Sequence, residues 1–496
     1  MTKFKILSLL VVGALLSSCD SPKSRPTEVA PLAPDTKAKV EQDLKNGVIP
    51  SPTDVANNNV GNSEDVCKKF ISNLPKDWFH DVIEVPEDPE NPAGKKIKIF
   101  YYGKLTENSI PTMFFNGGPG GTSHGMYKSI VQNQRAFDSE KKVSFVFLDQ
   151  RGNGCSDYYP QGRTEEVLNR LRHYGSTGIV SDSEHVRKKI LGDKKWNVFG
   201  QSYGGHIVHR YVIQAPQAVN AAFSHANILQ TDGFVRIKNR ILSQTRVYKN
   251  YLQRFPEDEA KILALKNYLT KDKCFVNPYD KEDQACGQSL FGSLNTLLGF
   301  SESWLALHQW IGIMVPEAEV VNTEVARFMS VFYFDEDDSN PLNNKNYASM
   351  VISWTDRNVE PMSIKNCNRI KSELSNEGIN LNDFPVNECS ESLQQDFDPN
   401  APEIPDSPTR ALIKKLPRNI MTLEQLKNVL TANDSLQMYL YSGQLDTFVP
   451  VENFAEQLTA IKELPNVHYI HFNGTGHNGY DDEPKVWMDL IKKSSP

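Results

Sequence analysis

The sequence predicts an α/β fold, in which a mostly parallel sheet carries helices on both faces and is interrupted by an inserted, mainly helical cap domain. Short β-like runs alternate with helical patterns from about residue 66 to 227, as in sheets built from strand–helix units. The pattern is then mostly helical and polar, and the alternation returns near residue 435. We therefore expect one discontinuous core, residues 64–228 and 430–496, with a helical cap over 229–429.

The individual elements follow from short apolar runs and amphipathic stretches. The predicted strands cover 97–102, 112–115, 143–148, 196–199, 219–226, 436–441 and 467–472. The predicted helices cover 164–172, 181–191, 203–214 and 451–461, with a further helix after residue 483.

Composition places the chain among ordinary soluble globular proteins. Its 496 residues are 39% hydrophobic and 23% charged, with a net charge of −7. No basic stripe marks a surface for nucleic acid, so we expect no such partner.

The first residues have the pattern of an export signal. Lys3 and Lys5 precede an apolar run over 6–16 that is too short to span a bilayer and ends in Leu-Ser-Ser-Cys at Cys19. This ending resembles the bacterial lipoprotein lipobox, whose cysteine is diacylated; the alternative is a plain secretory signal in which Cys19 is incidental. We expect a signal peptide over 1–19 and an extracytoplasmic protein anchored to a bacterial membrane by lipid on Cys19.

A second feature of this end is its composition. Residues 20–63 are rich in Pro, Ser, Asn, Asp and Lys and have almost no aromatic residues, so they predict a disordered tether.

Six cysteines remain beyond Cys19, an even number that indicates disulfides in an exported protein. Fifteen connectivities are possible for six cysteines. Proximity in sequence favours Cys274 with Cys286 and Cys367 with Cys389, which leaves Cys67 for Cys155. The cysteines have no zinc-like spacing, and we expect neither a metal nor a cofactor.

The stretch "WNVFGQSYGGHIVHRY" contains a G-x-S-x-G motif with Ser202 at its centre. The motif lies between a predicted strand and a predicted helix, where the tight turn of a nucleophile elbow lifts the serine hydroxyl into the open. The alternative is a glycine-rich turn that only closes a strand–helix unit. We interpret Ser202 as a nucleophile.

A serine nucleophile needs a general base and a carboxylate that orients the base. Asp446 follows one late strand and His477 follows the next, so both belong at the same sheet edge as Ser202. Singly, each has a simpler interpretation, as a helix-capping aspartate and a solvated turn histidine. Reserve acids are Asp434 and Asp481, and reserve bases are His468 and His471.

The glycine-rich stretch "NGGPGG" follows an early strand. Backbone N–H groups aimed at the substrate oxygen stabilise the charge that develops there during acyl transfer. One such donor should come from Tyr203, the residue after the nucleophile, and a second from Gly117 or Gly118.

Together, "NGGPGG", "LDQRGNGCS" and "GQSYGG" resemble the ordered glycine motifs of the proline iminopeptidase family of α/β-hydrolases, and "SGQLDTFVP" and "GTGH" look like its acid and histidine loops. The resemblance covers roughly residues 95–228 and 435–490. It implies an α/β-hydrolase core and a serine aminopeptidase that releases N-terminal residues from peptides, as in proline iminopeptidases and tripeptidyl aminopeptidases.

Two departures from that family stand out. Asn116 occupies the position where the family usually has histidine, and the chain has no Trp-Glu dipeptide of the kind that lies near the family's ammonium-binding cap glutamates. Within "DQRG", Asp149 and Arg151 are expected to form a buried ion pair or hydrogen-bond network. An esterase or lipase on the same machinery is the alternative function, because the triad does not distinguish esters from amides.

Overall fold

The computed structural model describes residues 63–123, 126–127, 143–162, 164–227, 229, 233–269, 273–276, 284–286, 294, 297–318, 320–326, 328, 345–357, 364–385, 389, 408–479 and 483–494. Cys19, Asp481 and the predicted segments 1–19 and 20–62 lie outside these residues.

An eight-stranded sheet forms the centre of the molecule, in the order β1-β2-β4-β3-β5-β6-β9-β10. Its strands are β1 (Phe79–Pro86), β2 (Lys96–Lys104), β3 (Thr112–Phe115), β4 (Phe145–Leu148), β5 (Trp196–Gln201), β6 (Val219–His225), β9 (Gln437–Gly443) and β10 (Val467–Phe472). The pairings of β1 with β2 and of β2 with β4 are antiparallel, and the other pairings are parallel. The predicted α/β fold is therefore confirmed.

Helices cover both faces of this sheet. The described helices are α1 (Ser63–Ser72), α2 (Glu165–Leu171), α3 (Ser176–Leu191), α4 (Tyr203–Gln214), α5 (Gly233–Arg254), α6 (Asp258–Tyr268), α7 (Trp304–Met314), α8 (Lys345–Asp356), α9 (Ile364–Asn376), α10 (Pro408–Lys415), α11 (Leu423–Ala432), α12 (Phe454–Ile461) and α13 (Pro484–Ser494). A short antiparallel ribbon, β7 (Cys274–Val276) with β8 (Gln284–Cys286), lies outside the main sheet.

The central strands are apolar on both sides because both faces of the sheet are covered. In β3, Met113 and Phe115 pack into one core cluster and Phe114 into the cluster on the opposite face, as the period of two requires. The first cluster includes side chains of α2, α3 and α4, and the second includes α1 and α13.

Strand β1 is absent from the sequence prediction. It forms the edge of the sheet, and most of its side chains are partly or fully exposed until Val85 and Pro86. An edge strand in water lacks the continuous apolar run that marked the central strands.

The helices of the range 229–429 pack in more than one group, and α9 joins part of α5 in a cluster of its own. Residues of α5, α6 and α7 share a separate cluster that includes Tyr251 and Trp304, whereas α8, α10 and α11 pack into the main core through residues such as Val351 and Leu426. Helices α8, α10 and α11 therefore help to support the central sheet. The boundary of the cap at residue 429 stays a prediction from the sequence.

Two of the three expected disulfides are present as bonds, Cys67–Cys155 and Cys367–Cys389. Cys274 is also disulfide-bonded, and it lies directly opposite Cys286 in the β7–β8 ribbon.

The predicted polar network at "DQRG" exists, but Asp149 and Arg151 do not pair with each other. Arg151 is fully buried and binds Asp182 through two hydrogen bonds of 2.8 and 2.6 Å. Asp149 instead accepts hydrogen bonds from Ser123 and from the backbone N–H of Cys155. The two residues therefore brace different loops.

Candidate active site

Ser202 lies at a sharp turn between β5 and α4. Its φ of 56° and ψ of −120° are strained for a residue with a side chain, and the side chain is partly exposed. A Cβ on Gly200 would lie 2.1 Å from the Gly204 oxygen, and one on Gly204 would lie 2.0 Å from the Phe115 oxygen. Only glycine fits at both flanking positions, which explains the motif.

Asp446 and His477 lie together at the carboxyl end of the neighbouring strands. His477 Nδ1 is 2.8 Å from Asp446 Oδ2, and the Asp446 side chain is fully buried. The other carboxylate oxygen accepts hydrogen bonds from the backbone N–H groups of Phe448 and Val449, at 2.8 and 2.9 Å. The carboxylate is thus held in one orientation, facing the imidazole.

Burial by itself would raise the pKa of Asp446, but the His477 charge, the His477 hydrogen bond and the two backbone N–H donors outweigh it. The net result is a pKa below the usual value of an aspartate. Asp446 is therefore ionised at neutral pH and suited to stabilise a positive charge on His477.

Burial lowers the pKa of a second histidine, His225, to about 3, with a further contribution from the His477 charge. The backbone oxygen of His225 accepts the Ser202 N–H at 2.9 Å. His225 thus stays neutral and supports the serine turn.

The glycine loop reaches the serine through Gly117. A Cβ on Gly117 would lie 3.1 Å from Ser202 Cβ and 2.9 Å from Gln201 Oε1. Gly118 has a φ of +116° and lies against the N–H groups of Gly120 and Gly121 in the curled loop. The backbone at Gly117 therefore borders the serine side chain directly.

Tyr203 is the other residue predicted to provide a backbone donor. It is the first residue of α4, and the first N–H groups of a helix have no acceptor within that helix. The structure thus brings Ser202, Gly117 and Tyr203 to one place.

Gln201 connects the serine turn to the histidine loop, a link that sequence reasoning missed. Its Nε2 donates to the His477 carbonyl at 3.1 Å and lies 3.2 Å from Asn478 Oδ1. Any residue type can occupy the middle position of the G-x-S motif, so the motif alone does not indicate this role for Gln201.

A segment of the predicted cap closes over the histidine loop. The N–H of His477 donates to the Gly299 oxygen at 2.9 Å, and the rings of Phe300 and Phe448 lie 5.8 and 4.8 Å from that of His477. Residues 297–303, which we call the rim segment, therefore form one wall beside the imidazole.

Asp356 is the second residue that sequence reasoning missed. This buried carboxylate, at the end of α8, accepts hydrogen bonds from the Tyr203 hydroxyl at 2.8 Å and from the N–H and hydroxyl of Ser176, both at 2.8 Å. Arg210 lies 3.3 Å away and His206 Nε2 lies 3.6 Å away. Asp356 thereby anchors the side chain of the residue that follows the serine.

The reserve residues do not join this arrangement. His471 Nδ1 lies 2.9 Å from Ser442 Oγ and His468 Nε2 lies 2.8 Å from Gln437 Oε1, both within β10 and β9. Asp434 is exposed in the turn before β9.

Among the residues that the structure describes, no three His, Cys, Asp or Glu side chains are grouped to hold a metal ion. Among the same residues, every helix is either too short or too polar to cross a bilayer.

Relatives with curated names are similar over part of the chain. A protein from Mycoplasma genitalium is 32% identical over 141 residues, covering 28% of this chain and 39% of the relative. The proline iminopeptidases of Aeromonas sobria and Neisseria gonorrhoeae are 24% and 25% identical, over 38% and 32% of this chain and 46% of each relative. The chain thus spans less than half the length of each of these three relatives.

Solved structures are similar at lower identity. A thermophilic esterase from Thermogutta terrifontis is 11% identical with a TM-score of 0.38, over 84% of this chain and 100% of that one. A proline iminopeptidase-related protein from Thermus thermophilus is 12% identical with a TM-score of 0.34, over 84% and 99%. Residues 111–484 match the alpha/beta hydrolase fold family, and on that match the chain belongs to this family.

Proposed function

We propose that the protein is a serine aminopeptidase that removes residues from the N-terminus of peptides through an acyl-enzyme. The observation that carries the proposal is the 2.8 Å contact between His477 Nδ1 and the buried Asp446 carboxylate, beside a serine held in a strained turn. Similarity to proline iminopeptidases supports a peptide substrate.

In this mechanism Ser202 Oγ attacks the carbonyl carbon of the scissile peptide bond. His477 Nε2 takes the serine proton as general base and then delivers it to the leaving amine as general acid. Water next attacks the acyl-enzyme and gives a proton to His477; the bond to Ser202 Oγ then breaks, His477 returns the proton to Oγ, and the N-terminal fragment leaves as a carboxylic acid. Asp446 keeps the imidazole in the required tautomer and stabilises its positive charge in both steps.

The charge that develops on the carbonyl oxygen is the main electrostatic barrier in both steps. The N–H groups of Tyr203 and of Gly117 or Gly118 would donate to this oxygen as the oxyanion hole. The closeness of Gly117 to Ser202 supports this role.

Labelling with a fluorophosphonate probe tests the nucleophile. We expect the wild type to be labelled and Ser202→Ala not to be labelled, with turnover reduced about 10⁶-fold. Labelling that persists in Ser202→Ala would contradict the assignment.

Substrate choice separates peptidase from esterase. Purified protein is offered prolyl and alanyl arylamides, short peptides with free or acetylated N-termini, and p-nitrophenyl esters. Cleavage of the free-amine peptides from the N-terminal end is the expected result. Turnover of esters alone would replace the aminopeptidase proposal by an esterase.

The protein is further proposed to be exported and lipid-anchored through Cys19, with peptides in the extracytoplasmic space as its substrates. The lipobox-like sequence and the disulfides support this location. Cells given labelled palmitate should incorporate it into the wild type and not into Cys19→Ser; equal incorporation in both would contradict it.

A further inference from the structure

The peptide group between Asn116 and Gly117 contains an N–H that we propose as an oxyanion donor. Gly117 is buried, and within the part of the chain that the structure describes its N–H has no hydrogen-bond acceptor. Buried backbone N–H groups without an acceptor are rare in native proteins. A Cβ on Gly117 would lie 3.1 Å from Ser202 Cβ, so this N–H is available to a ligand beside the serine.

Glycine at position 117 leaves this peptide group poorly restrained. Because Gly117 has no side chain, the peptide group before it can rotate more readily than it could before any other residue. A rotation that exchanged the N–H for the Asn116 carbonyl would bring a negative dipole end to the place where negative charge develops. An oxyanion donor at this position therefore needs a restraint from outside the loop.

Gln150 provides such a restraint from the end of β4. Its side chain is buried, and its Nε2 donates to the Asn116 oxygen at 3.0 Å. The Asn116–Gly117 bond is trans, and in a planar trans peptide group the C=O and the N–H point in opposite directions. By holding the Asn116 oxygen, Gln150 therefore also fixes the direction of the Gly117 N–H.

The Asn116 oxygen also lies against the first turn of α4. A Cβ on Gly204 would lie 3.0 Å from this oxygen and 2.0 Å from the Phe115 oxygen. The carbonyl group of Asn116 is thus confined between the Gln150 amide and the turn that carries Ser202.

The residue before Gln150 holds the other end of the same loop. Asp149 Oδ1 accepts hydrogen bonds from the N–H and the hydroxyl of Ser123, at 3.1 and 2.6 Å. Its Oδ2 accepts the N–H of Cys155 at 2.9 Å. Two consecutive residues after β4 therefore bind the two ends of the glycine loop, residues 116–123.

We infer that Gln150 is a positioning residue of the oxyanion hole: it holds the peptide group between Asn116 and Gly117 so that the Gly117 N–H stays directed at the substrate oxygen. This inference rests on the proposed function, because it requires acyl transfer at Ser202. Gln150 itself touches no reacting atom and acts through the Asn116 carbonyl group.

The test replaces Gln150 by methionine, which has a similar length and no donor. The first readout is the second-order rate constant of fluorophosphonate labelling, a reaction that depends on Ser202 and on oxyanion donors but not on the choice of peptide. We expect Gln150→Met to lower this constant about 10- to 100-fold, up to the effect of losing one donor. The kcat for peptides should fall by a similar factor with KM nearly unchanged.

Two further variants test whether Gln150 acts through Gly117. Gln150→Glu has nearly the same size but presents an acceptor to the Asn116 oxygen, so it should lose at least as much activity as Gln150→Met. In a Gly117→Ala background, Gln150→Met should lower the labelling rate constant by less than about threefold, because the donor is already displaced.

Asn466→Leu is the matched control for the loss of a buried amide. Asn466 precedes β10, at the end of the strands opposite to the site, and its Nδ2 donates to the backbone oxygens of Leu430, Asn433 and Leu436. This variant should lower the unfolding free energy measured in urea, while its labelling rate constant stays at the wild-type value.

The outcomes separate this inference from the proposed function. Wild-type rate constants in both Gln150 variants overturn the inference alone, and so does an equal loss in Asn466→Leu, a raised KM at unchanged kcat, or a fully additive double mutant. Reduced labelling of Gln150→Met in a protein that turns over esters but no peptides supports the inference and rejects the aminopeptidase. A wild type that is not labelled contradicts the nucleophile assignment, and the inference fails with it.

Discussion

Two buried aspartates, Asp446 and Asp356, differ in what they face. Asp446 faces an imidazole and two backbone N–H groups, whereas Asp356 faces the Tyr203 hydroxyl, Ser176 and Arg210. Both are buried, and the pKa of both is lowered although burial opposes it. Burial and a lowered pKa therefore do not distinguish the proposed catalytic carboxylate, Asp446, from Asp356; only their partners differ.

In a comparison of the two aspartates, the largest effect on turnover should come from Asp446→Asn. The amide oxygen can still accept the two backbone N–H groups, but the amide no longer holds His477 in the required tautomer, so kcat should fall about 10⁴-fold with a small change in unfolding free energy. Steady-state kinetics and urea unfolding measure the two quantities. Asp434→Asn is the control. A comparable loss of kcat in that variant would assign the role of the orienting carboxylate to Asp434.

For Asp356→Ala we expect the opposite result, a large loss of unfolding free energy and a smaller loss of kcat. Removing a buried carboxylate leaves Arg210 and Ser176 without their partner, which should lower the unfolding free energy by about 3–5 kcal/mol. The folded fraction should keep far more activity than Asp446→Asn. A 10⁴-fold loss of kcat at unchanged stability would show that Asp356, too, has a catalytic role.

The sequence was sufficient to predict those residues whose positions depend on local geometry. Ser202 and its flanking glycines follow from one turn, and β3 and β10 have the predicted bounds because a short apolar run determines each. Asp356 lies 153 residues from Tyr203 along the chain, and nothing near it marks a buried carboxylate. The same holds for the rim segment, whose contact with His477 exists only after folding.

A smaller effect should follow from Gly117→Ala. The added methyl would lie 2.9 Å from Gln201 Oε1 and 3.1 Å from Ser202 Cβ, so the loop must move away from the serine. We expect kcat to fall about 10²-fold, in the range for loss of one oxyanion donor, with KM nearly unchanged. Gly312→Ala is the control, because the nearest atom to its new methyl is 3.8 Å away. Wild-type kcat in Gly117→Ala would exclude this backbone from the oxyanion hole.

The smallest expected effect is the pH dependence of the unfolding free energy. Burial would raise the pKa of Asp356, but hydrogen bonding and the charges of His206 and Arg210 lower it overall. The folded-state pKa lies below the unfolded value of about 3.9. At pH values between the two, the unfolded state therefore binds more protons than the folded state. The stabilisation is thus complete above about pH 4 and is lost as the pH falls through the folded-state pKa.

Urea unfolding of the wild type and Asp356→Asn from pH 2.5 to 7 measures this linkage. The difference in unfolding free energy should shrink below about pH 4, by about 1.4 kcal/mol for each unit of pKa difference. A difference that stays constant with pH would mean that Asp356 has the same pKa in both states.

The hydrogen bond from the His477 N–H to the Gly299 oxygen joins the rim segment to the histidine loop. Lifting the rim segment from the core would remove the acceptor of that N–H and the ring of Phe300 from beside the imidazole. The surroundings of the His477 ring therefore depend on a segment of the range 229–429 as well as on Asp446.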